Sequence, residues 1–312
     1  MKTCRLGRKV PMALVLGWVI GGLYGCAASG QAPGAPSRQG PMYASVNKSL
    51  YHEMTSGDYE RQADAFYDMG NHQKAYVNYE TSLQLDPRNP RVRYKKGLTL
   101  FAGGMYEDAS KEFEGLIQED PDHALAYQGL GSAFFRMRKY GKAEESLREA
   151  TKRDATLWQA HNLLGILHDR RKEHTSAVKE FHAAIAHQPE AGLLYNNLGM
   201  SYFMAGDYER AVFIFREGLK KKYRDSKIYN NLGIALFRTG KYLEAFQAFR
   251  KAGSKAQAFN NLGCVYLECG ECEKAVDCFE KAIEINPIFY TRANENLDKA
   301  RAGLNQQRPR RN

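Results

Sequence analysis

No stretch of this 312-residue chain reads as a membrane-spanning helix. The longest apolar run, Val10 to Leu23, is too short and too rich in glycine, and Pro11 interrupts it. Histidines do not fall at the spacing that a helix-borne metal site needs. His161, His168, His174 and His182 are scattered, and none lies four residues from another, so no two imidazoles share one helical face. They are expected to be surface or packing residues, and neither a metal nor any other cofactor is expected. Cys269-Gly-Glu-Cys272 lacks the histidine that would follow in a c-type haem attachment site, because Glu273 stands there. It also lacks a neighbouring strand-helix unit, which argues against a thiol oxidoreductase. With Cys264 and Cys278 close by, the readings left, in order of preference, are a structural Cys269–Cys272 disulfide, buried thiols, zinc, and redox catalysis.

What the chain has in quantity is repetition. The stretch YNNLGMSYFMAGDYERAVFIFREGL, from Tyr195 to Leu219, returns with small changes from Tyr229 and again from Phe259. A Leu-Gly pair tracks the period. Its second residue is Gly97, Gly131, Gly165, Gly199 and Gly233, each 34 residues after the last, and Gly263 follows after only 30. Ala63 keeps the phase upstream, which makes seven repeats with the sixth short by one turn of its second helix.

The spacing has a physical cause. Leu198 and Tyr202 share one face of a first helix, while Ala211, Phe215 and Gly218 share a face of a second. Gly199 and Ala211 are expected to be small because two backbones approach there, and Phe215 to fill the space between hairpins. Gly206 suits a left-handed helix end, a place that Arg138 takes in repeat three. Asp86-Pro87, Asp120-Pro121, Gln188-Pro189 and Asn286-Pro287 should stop second helices. Repeats one and two are the least faithful, with Gln62 and Lys96 at the usual Leu position.

This pattern resembles the tetratricopeptide repeat, matched by Tyr195, Leu198, Gly199, Tyr202, Ala211 and Phe215, and in the last copy by Phe259 through Pro287. The resemblance implies an all-α, right-handed superhelical solenoid of about seven helix-turn-helix repeats over residues 57–289. Phe289 to Leu304 carries apolar residues at helical spacing, so residues 290–306 are expected to form a C-terminal cap helix, with 307–312 a disordered basic tail.

Residues 1–25 read as a secretory signal, with Lys2, Arg5, Arg8 and Lys9 before the apolar run. The run ends Leu23-Tyr24-Gly25-Cys26, which resembles the lipobox of bacterial lipoproteins. That resemblance implies lipidation of Cys26. Ala27, where an Asp would retain the protein at the inner membrane, implies the periplasmic face of the outer membrane. Residues 26–56 would then hold the lipidated Cys and a flexible tether, and Tyr43 to Thr55 could add a helix capping the first repeat. Loss of the signal lowers the formal charge from +10 to +6. What remains, in Lys220, Lys221, Lys222, Arg224 and the tail, is expected mainly to be a solvated face.

In this family the first helix of each repeat lines a concave groove. The resemblance places Asn162, Asn196, Asn197, Asn230, Asn231, Asn260 and Asn261 there, with Asn294 in the following copy. An amide both donates and accepts, which suits the backbone of an extended peptide; the same amides could instead bridge neighbouring helices. Beside them should stand Phe135, Arg136, Asp169, Arg170, Phe203, Met204, Phe237 and Arg238. The expected function is binding, not chemistry: an envelope scaffold resembling the pilotins of type IV pili, which help a secretin ring assemble. Alternatives are an adaptor for periplasmic proteases or cell-wall enzymes, and a thiol-disulfide protein through Cys269 and Cys272. The partners expected are other envelope proteins and, through the anchor, the membrane, with no nucleic acid and no small-molecule substrate.

Overall fold

The computed structural model describes residues 54–221, 225–287 and 290–307. The expected signal, Cys26, the tether and the candidate helix up to residue 53 lie outside them, as do Lys222, Arg224 and residues 308–312. Among the described residues there are fifteen helices and no strand.

The helices form seven antiparallel pairs and a last single helix. In order they are α1 (Ser56–Asp68), α2 (His72–Leu85), α3 (Pro90–Ala102), α4 (Tyr106–Glu119) and α5 (Ala124–Arg136). Then come α6 (Tyr140–Arg153), α7 (Trp158–Arg170), α8 (His174–His187), α9 (Gly192–Met204) and α10 (Tyr208–Lys220). The series closes with α11 (Ser226–Arg238), α12 (Tyr242–Ala252), α13 (Lys255–Glu268), α14 (Cys272–Ile285) and α15 (Tyr290–Gln307).

Local chemistry sets these boundaries. Thr55 and Asp58 form a capping box at the start of α1, and Ser254 and Gln257 form one at the start of α13. The turn inside each of the seven pairs is closed by a residue in the left-handed region. At Gly206, with φ 84°, the following Asp207 N–H reaches back to the Tyr202 carbonyl and so satisfies the end of α9. Arg138 and Lys172 occupy the same place with φ of 60° and 65°, so the turn survives the loss of glycine in repeats three and four. The helices α2, α4, α8 and α14 stop one residue before the Asp, Gln or Asn that precedes proline. In repeat six, α12 has 11 residues against 14 in α14, and the missing turn lies in the second helix, where it was expected.

The reason for the phasing glycine differs from the expected one. A Cβ placed on Gly199 would lie 2.5 Å from the ring of Phe215, and one on Gly233 would lie 2.5 Å from Phe249. At these positions glycine is needed because an aromatic ring lies on the helix; at Gly131 the side chain of Leu147 takes the ring's place and the Ala143 carbonyl also approaches, at 2.6 and 3.2 Å from the would-be Cβ. The Phe113 ring is wedged between Gly97 of its own repeat and Gly129 of the next, at 2.7 and 2.6 Å from their would-be Cβ atoms. These rings (Phe113, Phe181, Phe215, Phe249 and Phe279) are among the most deeply buried side chains, and Phe181 also clusters with Leu198 of the next repeat and Phe279 with Leu297 of α15. At the C-terminal end Ala293, Leu297 and Ala300 bury one face of α15 against α14 and its Phe279.

Each helix packs on its successor, and the odd-numbered helices also touch the next odd-numbered one from α3 through α15. The row whose members approach each other is the inside of a curved stack. The odd helices therefore line the inner face.

Candidate functional site: an amide row along the inner helices

The asparagines before the Leu-Gly pairs meet across repeats. Asn197 donates to Asn162 (Nδ2 to Oδ1, 2.8 Å), Asn231 to Asn196 (2.9 Å) and Asn261 to Asn230 (2.9 Å). One rule covers all three: the residue two before a phasing glycine donates to the residue three before the preceding one. Asn296 donates to Asn260 Oδ1 at 3.1 Å and continues the row onto α15. The structure therefore assigns this role to Asn296 in place of Asn294, because α15 enters with a different register from a true repeat.

Each rung uses one N–H of the donor amide and one lone pair of the acceptor, leaving the Asn196 and Asn230 amides their N–H groups and the Asn197, Asn231 and Asn261 amides their oxygen. Asn162 and Asn260 are buried and the others half-buried, so these groups sit at the surface of the inner row and not beneath it. Bridging and binding are thus compatible in one residue.

The same rule holds in repeats one and two, with charges in place of amides. Lys95 stands two before Gly97 and donates to Glu60, three before Ala63, at 2.8 Å. Lys95 also reaches both oxygens of Asp64, at 2.8 and 2.7 Å, and Arg91 pairs with Glu60 from outside. Lys96, at the usual Leu position, is buried between Glu80 and Glu112 at 2.6 and 2.9 Å. Burial pushes the Lys96 ammonium down, but the two carboxylates outweigh it and hold its pKa above the ordinary value. Between these stretches the row is broken. Gln128 occupies the acceptor position of repeat three while Leu163 stands at the donor position of repeat four, and Gln128 Oε1 is buried without a hydrogen-bond partner.

A second row runs along the turns. Phe101 stacks edge-on to Tyr106 (5.4 Å), Phe135 to Tyr140 (5.8 Å) and Phe237 to Tyr242 (4.9 Å); Phe203 and Tyr208 are tilted at 5.2 Å. Arg136 lies over Tyr106 at 4.8 Å and donates to its hydroxyl; Arg170 lies over Tyr140 at 4.0 Å. Two of the expected groove residues do not line a free surface. Phe237 is 3% exposed between Tyr242 and Tyr266, and Arg238 is held by Glu268 and by Cys269 Sγ. Tyr266 of repeat seven packs on Phe237, and the end of α13 takes Arg238.

In repeat four histidine–carboxylate contacts take the place of the ring pair. His174 meets Asp169 at 2.8 Å, Ser201 donates to the same carboxylate oxygen at 3.0 Å, and His168 meets Glu173 at 2.6 Å. Burial raises the Asp169 carboxyl in spite of these partners. The serine hydroxyl faces the aspartate and the His174 carbonyl (3.4 Å) and not the imidazole, so the trio lacks the relay of a nucleophilic triad. Among the described residues no group of three or more His, Cys, Asp or Glu side chains is placed to hold a metal.

The expected Cys269–Cys272 disulfide is not formed. Cys269, at the end of α13, takes an N–H from Arg238 of the preceding repeat, while Cys272 opens α14 and turns its Sγ under α15, against Gly303. Cys272 and Cys278 are buried thiols, and burial pushes the Cys278 pKa up to about 11.

Models of the tetratricopeptide repeat match residues 91–123, 129–191, 173–220, 196–259 and 256–289, and a TPR repeat model matches residues 63–104. No curated protein matches the sequence. Among solved structures, a tetratricopeptide repeat protein from Parabacteroides merdae is similar over 78% of this chain and 98% of its own, with 16% identity and a TM-score of 0.55. The APC/C hetero-tetramer Cut9-Hcn1 is similar over 81% of this chain and 50% of the other, with 18% identity and a TM-score of 0.56. MamA is 27% identical over 55% of this chain and 94% of its own, with a TM-score of 0.47. At these identities the first two structures support the fold and nothing finer.

Proposed function

We propose that this chain, which belongs to the tetratricopeptide-repeat family, takes an extended segment of a partner protein along the inner row of repeats four to seven and performs no chemistry on it. At the coarser level the chain is a protein-interaction scaffold of stacked repeats. The observation that carries the finer reading is the run of asparagine rungs from Asn162 to Asn296, whose unused donors and acceptors recur once per repeat on the inner face. Amides at a fixed interval suit main-chain groups, which recur whatever the partner's side chains are.

Removing both members of a rung separates binding from folding. The variant Asn196→Ala/Asn231→Ala deletes a donor and its acceptor together, which leaves no orphaned group and changes stability little. A weaker grip on an uncharged extended peptide, at unchanged thermal midpoint, supports the groove. Equal binding by both proteins removes it.

The cellular setting we propose is the periplasmic face of the outer membrane, with acyl chains on Cys26 as the anchor and envelope assembly, such as type IV pilus secretin biogenesis, as the task. Support comes from the basic start, the apolar run ending at Cys26, and Ala27 after it. Cys26→Ser should release the protein from the membrane fraction; retention refutes the anchor. Secretin multimers that assemble normally in a deletion strain refute the pilus role.

A further inference from the structure

The turns of repeats three and four differ in charge from the rest of the turn edge. Residues 136–142, Arg-Met-Arg-Lys-Tyr-Gly-Lys, hold four cations and no carboxylate. The next turn adds Arg170, Arg171 and Lys172. The matching stretch of repeat two, 102–108, is Ala-Gly-Gly-Met-Tyr-Glu-Asp, and that of repeat seven, 268–274, holds Glu268, Glu271 and Glu273 against one lysine.

Of the carboxylates nearest in sequence to these cations, one pairs with Arg171 and two with histidines, and none pairs with Arg136 or Arg170. Glu144 takes Arg148 at 2.9 Å and also pairs with Arg171, Asp169 takes His174 and Ser201, and Glu173 takes His168. Burial pushes the Glu144 carboxyl up, but its two arginines outweigh that and hold it below the ordinary value. Among the described residues Arg136 and Arg170 have no carboxylate partner.

These two are equivalent residues, each the last of its inner helix, and each guanidinium lies on the tyrosine of the preceding turn. Contact with Tyr106 and Tyr140, and for Arg136 a hydrogen bond to the Tyr106 hydroxyl, restrains each guanidinium before any anion arrives. A restrained guanidinium loses less side-chain freedom on binding and keeps N–H groups for a carboxylate. In repeat six the corresponding Arg238 is already paired with Glu268 at 3.5 Å, so the unmatched pair is confined to repeats three and four.

We propose that Arg136 and Arg170 form a two-point site for an acidic segment of the partner, with carboxylates three residues apart in a polyproline-like extended chain. The inference rests on the groove reading above and adds the chemistry of the occupant at its N-terminal end. The helices α5 and α7 pack against each other, and packed helices lie about 8 to 10 Å apart. A polyproline II chain rises about 9 Å in three residues and brings every third side chain back to the same face. A β-strand covers a similar distance but turns the third side chain to the opposite face. Acidic side chains at every third position, and not at every second, therefore match the two forks.

The test measures binding of the full chain to labelled peptides at moderate salt. The peptides are a short run of Glu-Pro-Pro units, its Gln-Pro-Pro counterpart, and a run with the same number of glutamates at alternate positions. Glu-Pro-Pro should bind on the order of tenfold tighter than both others. Arg136→Gln/Arg170→Gln should erase that preference. Arg136→Lys/Arg170→Lys, which keeps charge but not the fork, should lose most of it, while Arg138→Gln/Lys139→Gln should keep most. Circular dichroism and the thermal midpoint check that each variant folds. Equal binding of the two glutamate spacings, or a preference untouched by either Arg136/Arg170 pair, overturns the proposal. Binding of phosphatidylglycerol vesicles through these arginines, without the peptide preference, overturns it in favour of a lipid surface. If Gln-Pro-Pro binds as well as Glu-Pro-Pro and Asn196→Ala/Asn231→Ala weakens both, the acidic site fails while the groove stands; if no peptide binds, both fail.

Discussion

The two ends of the solenoid solve one geometric problem with different chemistry. In repeats one and two the link between neighbouring inner helices is ionic, Lys95 to Glu60 and Asp64; in repeats four to seven it is amide to amide, in the same register. An amide keeps a second donor or acceptor after pairing, whereas Glu60, with a side chain 6% exposed and cations on both oxygens, has little left to offer. The ionic end is built to hold together. The amide end holds together and can also bind.

The largest expected effect separates these roles at the ionic end. Lys95→Met leaves Glu60 buried with only the exposed Arg91 as partner and should lower stability to urea by about 2 to 3 kcal/mol. Glu60→Gln/Lys95→Gln, which rebuilds the rung as amides, should stay within about 1 kcal/mol of wild type. An equal loss in both variants would show that the charges are not interchangeable with amides. At the other end Asn197→Ala strands the oxygen of buried Asn162 and should cost about 1 to 2 kcal/mol, while Asn162→Ala/Asn197→Ala together should cost less than the single change. The reverse outcome would mean that the rung contributes nothing as a pair.

The break between the two ends gives a stabilising change. Gln128→Leu removes the buried, unpartnered Oε1 and should raise stability by about 1 kcal/mol in the same urea titration. A loss would mean that Gln128 has a role that the missing donor hides.

The smallest effect concerns pH. The hydrogen bond to Glu180, at 2.7 Å, raises the pKa of His161, with burial opposing it. A raised histidine contributes stability that is fully present below its unfolded value of about 6.5 and is lost as pH rises through the higher folded value. Thermal midpoints of wild type should therefore fall between pH 6 and 8 relative to those of His161→Gln; parallel profiles would contradict the pairing.

The helices, the short α12, the proline stops and the left-handed Arg138 were legible because each rests on local backbone chemistry with a fixed period. The positions of the asparagines were legible too, but not who bonds whom. A cross-repeat bond joins residues 35 apart, or 31 across the short repeat, and its register depends on how two inner helices slide against each other. Once that register is seen, the Lys95–Glu60 rung and the gap at Gln128 follow from the same offsets in the sequence. The turn residues were harder. Phe237 and Arg238 share a pattern with Phe203 and Arg170, and only the packing of Tyr266 shows that the first two are enclosed. The cysteine pair misled because three residues across a turn permit a disulfide, while the helices aim the two sulfurs at different neighbours.

Whether the amide row is a binding surface is tested most directly by titrating an uncharged, extended peptide against wild type and Asn196→Ala/Asn231→Ala, with thermal midpoints measured on the same samples. The expected result is binding several-fold weaker in the variant, by loss of about 1 kcal/mol, at a midpoint unchanged within about 2 °C. Binding that is identical in the two proteins, or that falls only in step with the midpoint, would make the asparagines bridges between repeats and nothing more.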